Sequence, residues 1–171
     1  MSNNTTLSSV PSLDLERYLG TWFEIGRLPL KWEDDNATNV TATYSLNEDG
    51  TVKVDNRCFD NNNEPTQSLG VAKPVPDQPG QLTVSFLPKY LRWIPFTEGD
   101  YWVLKIDEAY EHSLVGAPNM ENLWLLSRTP HIEPGVRDEY LAEATRQGFD
   151  LSTWISPVHD GRTVTDDLLE D

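Results

Sequence analysis

The sequence predicts an all-β protein, an antiparallel sandwich or barrel, followed by one helix. Three observations predict it. Eight short runs are rich in β-branched and aromatic residues, turn chemistry separates them, and the apolar period changes to a helical one only after residue 133. The first run is "GTWFEIGRL". "NVTATYSL" and "TVKVDNRCF" flank "NEDG", whose Asp49-Gly50 suits the positive φ of a tight hairpin. "QSLGVAK" reads as a short, weak strand, and "QLTVSFL" alternates cleanly, with Leu82, Val84 and Phe86 on one face. "DYWVLKID", "HSLVGAP" and "LWLLSRTP" complete the set. In "PGVRDEYLAEATRQGF", Val136, Tyr140, Leu141 and Ala144 share one helical face between Pro134 and Gly148. A last run, "LSTWI", is expected to pair with a strand.

A length of 171 residues fits one domain with a real core. The expected organisation is a flexible segment over residues 1–12, a folded domain over 13–157 and a solvated acidic tail over 158–171. The start of the chain has no basic region followed by an apolar one, so no signal peptide is expected in it. That points to a cytoplasmic protein, or to a periplasmic or outer-membrane one if a leader has been removed. Thirteen Lys and Arg against 28 Asp and Glu give a net charge of −15, the wrong sign for nucleic acid. Cys58 is alone, which rules out an intramolecular disulfide.

Against that acidic background stands "FLPKYLRWIPF", residues 86–96, with no acid and with Lys89 and Arg92 as its charges. Pro88 and Pro95 make it a poor helix and a poor central strand. An apolar, basic loop of this kind suits either a lipid interface or a protein partner.

The order of elements and three segments resemble the lipocalin family. "RYLGTWFEIGRLP" carries Gly20-Thr21-Trp22, "GDYWVLKIDEAYEHSLVGAP" carries an Asp107-to-Tyr110 turn, and "LWLLSRTP" places Arg128 at the family's third-block basic position. Within the family the text is most similar to bacterial lipocalins and plant temperature-induced lipocalins, and more distantly to apolipoprotein D. The resemblance covers about Leu13 to Ile155. It implies an eight-stranded up-and-down antiparallel barrel with the C-terminal amphipathic helix packed outside. It implies an amphiphilic lipid ligand, a fatty acid or lysophospholipid, and a role in membrane maintenance or stress.

In such a barrel Trp22 and Arg128 meet at one end, where a guanidinium over an indole contributes roughly 0.5–2 kcal/mol. Gly20, Trp22 and Arg128 are then structural. The loop over 87–99 falls at the opposite, open end. There Leu91, Trp93, Ile94 and Phe96 would enter a lipid interface while Lys89 and Arg92 meet phosphates, each worth about 1 kcal/mol. The alternative is that this rim pairs two copies of the chain.

With Trp22 and Arg128 inward, Glu24 and Gly26 also point in, with Trp124 and Leu126 from the last strand. The apolar phases add Val40, Ala42, Tyr44 and Leu46, then Val52, Val54, Asn56 and Cys58, then Leu82, Val84 and Phe86. With Lys105 in solvent, Trp102, Leu104 and Ile106 join them. The expected pocket is therefore Glu24, Tyr44, Asn56, Phe86, Trp102 and Trp124; Tyr44 and Trp124 match pocket positions of apolipoprotein D-like relatives. Glu24 either pairs with a base or serves as a ligand handle. The helix is expected to cover outward residues such as Phe23 or Val103. His112, His131 and His159 have no ligand spacing, and no nucleophile elbow, CxxC or phosphate loop is present. No enzyme activity, metal or cofactor is expected.

Overall fold

The computed structural model describes residues 7–29, 36–86 and 98–169. A one-turn helix, α1 (Leu15–Tyr18), precedes β1 (Gly20–Arg27), β2 (Thr38–Leu46), β3 (Val52–Phe59), β4 (Pro65–Pro74), β5 (Gln81–Phe86), β6 (Glu98–Ile106), β7 (His112–Gly116) and β8 (Leu123–Ser127). Each strand pairs antiparallel with the next, and β8 pairs back onto β1, so the sheet closes into a barrel. Closure satisfies the backbone of every strand and leaves no edge to template aggregation. Helix α2 (Pro134–Arg146) and a final 3-10 turn (Asp166–Leu169) complete the chain.

Local chemistry fixes the turns. Between β2 and β3, Gly50 takes φ 88°, and Asp49 accepts hydrogen bonds from both the backbone and the side chain of Thr51. Between β6 and β7, Asp107 accepts from the backbone N–H groups of Glu111 and His112. These turns and the β4–β5 turn lie at the end closed by α1. The C-terminal ends of β1, β3, β5 and β7 lie at the other.

Strand β4 is stronger than its sequence suggests. It runs ten residues and pairs with β3 from Val52↔Ala72 to Phe59↔Pro65. Gly70, which weakens the strand on propensity, is required by packing: a Cβ there would meet the Ser85 carbonyl at 2.9 Å and the Phe86 ring at 3.0 Å.

Among the described residues three register shifts interrupt the alternation, one of them in β2 between Thr38 and Thr41. In β1 the register slips between Glu24 and Gly26, and in β6 between Val103 and Lys105. An extra residue reverses which face the following side chains take. Past Ile25, Gly26 therefore faces outward, where a Cβ would meet the Trp154 ring at 2.2 Å, and Arg27 turns inward. In β6, Tyr101 and Val103 face inward and pack with the interior, while Trp102 and Leu104 pack with the helix side. The sequence-based phase of β6 is thus correct at Ile106 and reversed at Trp102 and Leu104, because Lys105 reports the phase only beyond the bulge. The inward direction expected for Gly26 is corrected for the same reason. On β2 the expected phase runs out at Leu46, which is exposed at the strand's end.

The core is consequently double. Trp22, Tyr44, Val52, Val54, Ala72, Leu82, Val84, Val103, Val115 and Leu126 fill the lower barrel. Outside, Tyr140 and Ala144 of α2 pack with Leu104, Leu114, Leu123, Leu125 and Phe149, with Val136 and Leu141 at the margin. The helical face read from the sequence is the buried one, but it does not cover Phe23 or Val103. Phe23 meets the edge of His159, and Val103 is inside.

Both ends of the chain pack against the barrel. Leu7 is buried, Ser8 exchanges hydrogen bonds with Gln147, and Val10 donates to the Val103 carbonyl. Arg27 and Ile155 exchange backbone hydrogen bonds of 2.9 and 2.8 Å, the pairing expected of "LSTWI". Beyond it, Asn39 donates to the Val158 carbonyl, Arg57 binds the Val164 carbonyl and Asp166, and Arg162 lies over Phe59. Residues 7–12 and 158–169 are therefore docked, not a flexible segment and a solvated tail.

Candidate ligand-binding cup

The floor is built on Trp22. Its indole donates to the Tyr18 carbonyl, and the Arg128 guanidinium lies 3.8 Å from the ring centroid. Arg128 also donates to the carbonyls of Tyr110, Thr21 and Arg17. It thereby ties α1, β1 and the β6–β7 turn across the barrel's end. Gly20, at φ 102°, leaves the space for it: a Cβ would lie 3.2 Å from the guanidinium. The closure inferred from sequence for these three residues is what the structure contains.

Above the indole, Tyr18, Tyr44 and Tyr101 meet at their hydroxyls. Tyr18 Oη lies 2.7 Å from Tyr101 Oη and 2.8 Å from Ser113 Oγ, and Tyr44 Oη lies 2.9 Å from Tyr101 Oη. The rings of Tyr18 and Tyr44 stack, and Tyr101 stands edge-on to both. Burial pushes the Tyr18 phenol up to about 12 against the opposing effect of its hydrogen bonds, pushes Tyr44 up further, and holds Tyr101 well above the ordinary phenol range. The cluster is therefore neutral at any physiological pH, a set of O–H donors.

The wall above the floor has a polar side and an apolar side. On β1, Glu24 and Arg27 form an ion pair, Nη1 to Oε2 3.2 Å, with exposures of only 5% and 0%. This pairing answers the question of how Glu24 is held. Asn56 follows on β3, opposite Ala42 and Ser68, and its Oδ1 is buried without a hydrogen-bond partner among the described residues. Cys58, two residues on, sits 3.1 Å from Thr66 Oγ1. Facing these groups, β5 to β8 supply Leu82, Val84, Phe86, Val103, Val115, Trp124 and Leu126. A lining of this kind, apolar with a few convergent polar groups, is typical of small-molecule sites.

Of the expected pocket residues, the structure brings Glu24, Tyr44, Asn56, Phe86 and Trp124 to the inner face and assigns Trp102 to the helix side. Lys89, Leu91, Arg92, Trp93, Ile94 and Phe96 lie outside the described residues. Arg27, Tyr101 and Ser113 are inner-face polar groups that alternation alone missed. A signal for Arg27 was present: Gly26 inside a strand marks a bulge, and a bulge reverses the phase.

The chain matches the model of the lipocalin-like domain over residues 13–159. It belongs to the lipocalin family. Temperature-induced lipocalin-1 of Arabidopsis thaliana is 36% identical over 154 residues, covering 89% of this chain and 82% of the plant protein. Outer membrane lipoprotein Blc of Escherichia coli K12 is 38% identical over 149 residues, covering 85% and 79%. Bovine apolipoprotein D is 30% identical over 132 residues, covering 72% and 65%. Among solved structures, insecticyanin from the tobacco hornworm superposes with a TM-score of 0.71 at 21% identity, covering 91% of this lipocalin and 85% of that chain. That likeness concerns the fold. Membership suggests binding of a small hydrophobic ligand, and lipocalins are generally binding and transport proteins.

Proposed function

We propose that this lipocalin stores or carries a single-chain amphiphile, a fatty acid or lysophospholipid, at a membrane surface. The observation that carries the reading is the asymmetric cup: a sealed floor, an apolar half from β5 to β8, and a buried polar group of Glu24, Arg27 and Asn56 opposite. A hydrocarbon alone has no use for that polar side, where the Asn56 Oδ1 is buried without a hydrogen-bond partner among the described residues. The names of its relatives, an outer membrane lipoprotein and a temperature-induced lipocalin, fit work at membranes and under stress. The segment over 87–97 supports the membrane part through its composition and its position in the sequence between β5 and β6.

Delipidated protein titrated with a lysophospholipid, palmitate and retinol is expected to show saturable tryptophan quenching by the first two, weakened in Trp124→Ala. Co-sedimentation with anionic vesicles is expected to disappear in a Trp93→Ala/Ile94→Ala variant whose solution binding is intact. No saturable change with any ligand overturns the carrier reading. Undiminished sedimentation overturns the membrane contact, and a concentration-dependent dimer lost in Trp93→Asp would assign the rim to self-pairing instead.

A further inference from the structure

The hydroxyls at the floor do not balance. Ser113, Tyr18, Tyr101 and Tyr44 form a chain of four hydroxyls joined by three hydrogen bonds, Ser113–Tyr18, Tyr18–Tyr101 and Tyr101–Tyr44. Each hydroxyl carries one proton, and each bond uses one. Whichever way the bonds point, one proton is left over, and no further hydrogen bond takes it up among the described residues. Its place is not arbitrary. Ser113 is 0% exposed and Tyr18 3%, so an orphan donor at either would bear the full penalty of a buried unsatisfied group. Tyr44 and the partly buried Tyr101 stand on the inner face of the barrel. The chain therefore settles with the spare proton on Tyr44 or Tyr101.

We infer that the floor of the cup is a polar subsite for a proton-free oxygen, the carbonyl of an ester or ketone or a carboxylate, and that the ligand's oxygen-bearing end enters first. The inference rests on the carrier reading and adds an orientation and a selectivity to it. A carbonyl oxygen accepts the spare proton, giving four protons and four bonds. An alcohol brings a proton of its own, giving five protons and four bonds, and an orphan remains. The floor is thus selective for acceptors over otherwise equal hydroxyl compounds. The charges around the floor are mixed: Arg128, behind the indole of Trp22, acts on Tyr18 and Tyr44, but the Glu24 carboxylate acts on Tyr44 more strongly and in the opposite sense, which favours a neutral carbonyl over a carboxylate.

The same arithmetic dictates the variants. Ser113→Ala leaves three hydroxyls and two bonds, still with one spare proton, and retains the selectivity. Tyr44→Phe leaves a donor on Tyr101, and Tyr101→Phe leaves one on Tyr44. Only the double replacement strips both inward hydroxyls while keeping the rings that pack the floor.

The test is competition of methyl palmitate, palmitate and hexadecanol against diphenylhexatriene, a fluorescent rod without oxygen. It is accompanied by isotope-edited infrared spectra of the bound ester with a ¹³C-labelled carbonyl. The ester is expected to be preferred over the alcohol by a factor that falls about 3- to 10-fold in Tyr44→Phe/Tyr101→Phe, the worth of one neutral hydrogen bond, and stays in Ser113→Ala. The palmitate arm separates a charged acceptor from a neutral one: a larger loss for palmitate than for the ester assigns the subsite to carboxylates first. In the wild type the labelled carbonyl band is expected below its position in alkane. A band at the alkane position, or an unchanged preference in the double variant, overturns the inference while the carrier reading stands. Failure of the hydrocarbon probe and all three competitors to bind overturns both.

Discussion

At the closed end of the barrel one guanidinium is stacked on an indole and bonded to backbone carbonyls, whereas the wall of β1 and β3 buries an ion pair and an amide oxygen away from water. Arg128 is stacked on Trp22 and bonded to three carbonyls from three different elements. Glu24 and Arg27, higher on the same strand as Trp22, are more deeply removed from water than Arg128 and are ion-paired at 3.2 Å. Asn56 across from them keeps a buried oxygen without a partner among the described residues. Removing two charges from water costs several kcal/mol per ion, so a pair of this kind is weak evidence for stability. The contrast teaches that the contacts of Arg128 hold the barrel's end shut, whereas burying the charges of the wall contributes little to stability.

The sharpest way to break this comparison is at the floor. Trp22→Ala is expected to lose about 3–5 kcal/mol in urea unfolding, since it removes a fully buried aromatic and leaves Arg128 without its stacking partner. A loss below about 1 kcal/mol would mean the floor collapses around the gap and is not the rigid end described above.

The wall is expected to behave differently. Glu24→Leu leaves the Arg27 charge buried beside an apolar residue, at a cost of about 3 kcal/mol. Adding Arg27→Met should recover most of that loss, because both charges then leave together, while lipid binding falls. Additive losses in this double-mutant cycle would show that the pair stabilises the fold and would remove the contrast with the floor.

How much of this was legible in the sequence follows from the same two regions. Gly20, Trp22 and Arg128 could be placed because their roles depend on a closed end that the order of strands already dictates. The eight strands and the buried face of α2 could be placed because their periods are regular. Where the period is interrupted, reading failed. The bulge after Val103 exchanged Tyr101 for Trp102 in the cup, and the bulge after Glu24 hid Arg27. Alternation carries no mark of an inserted residue except a glycine such as Gly26, and β6 offers none at its bulge. The C-terminal segment was missed for another reason. Its anchors are backbone groups and single side chains, such as the His159 Nε2 that lies 2.7 Å from the Glu24 carbonyl oxygen. No apolar pattern announces a segment held in that way.

That histidine supplies the smallest and most specific expectation, because it ties the tail to the outside of the strand that bears the charged wall. His159 packs edge-on to Phe23 and donates from Nε2 to the Glu24 carbonyl. Burial lowers its pKa below the ordinary value of 6.5; the Glu24 carbonyl opposes the shift, His131 adds to it, and Asp160 opposes it. The undocked tail therefore takes up its proton first as the pH falls. Docking is at full strength above about pH 6.5 and weakens as the pH drops from there through the lowered pKa of the docked state. Arg57 stays cationic across this window and keeps its contact with the Val164 carbonyl, so the segment loosens at His159 before it leaves the barrel. Amide exchange over residues 158–162, corrected for intrinsic rate, should rise between pH 7.5 and 5.5 while residues 164–169 change less. His159→Gln keeps a donor but cannot titrate and should flatten the profile. A profile unchanged by that substitution would place the pH response elsewhere and leave the outer face of β1 as indifferent to pH as the floor.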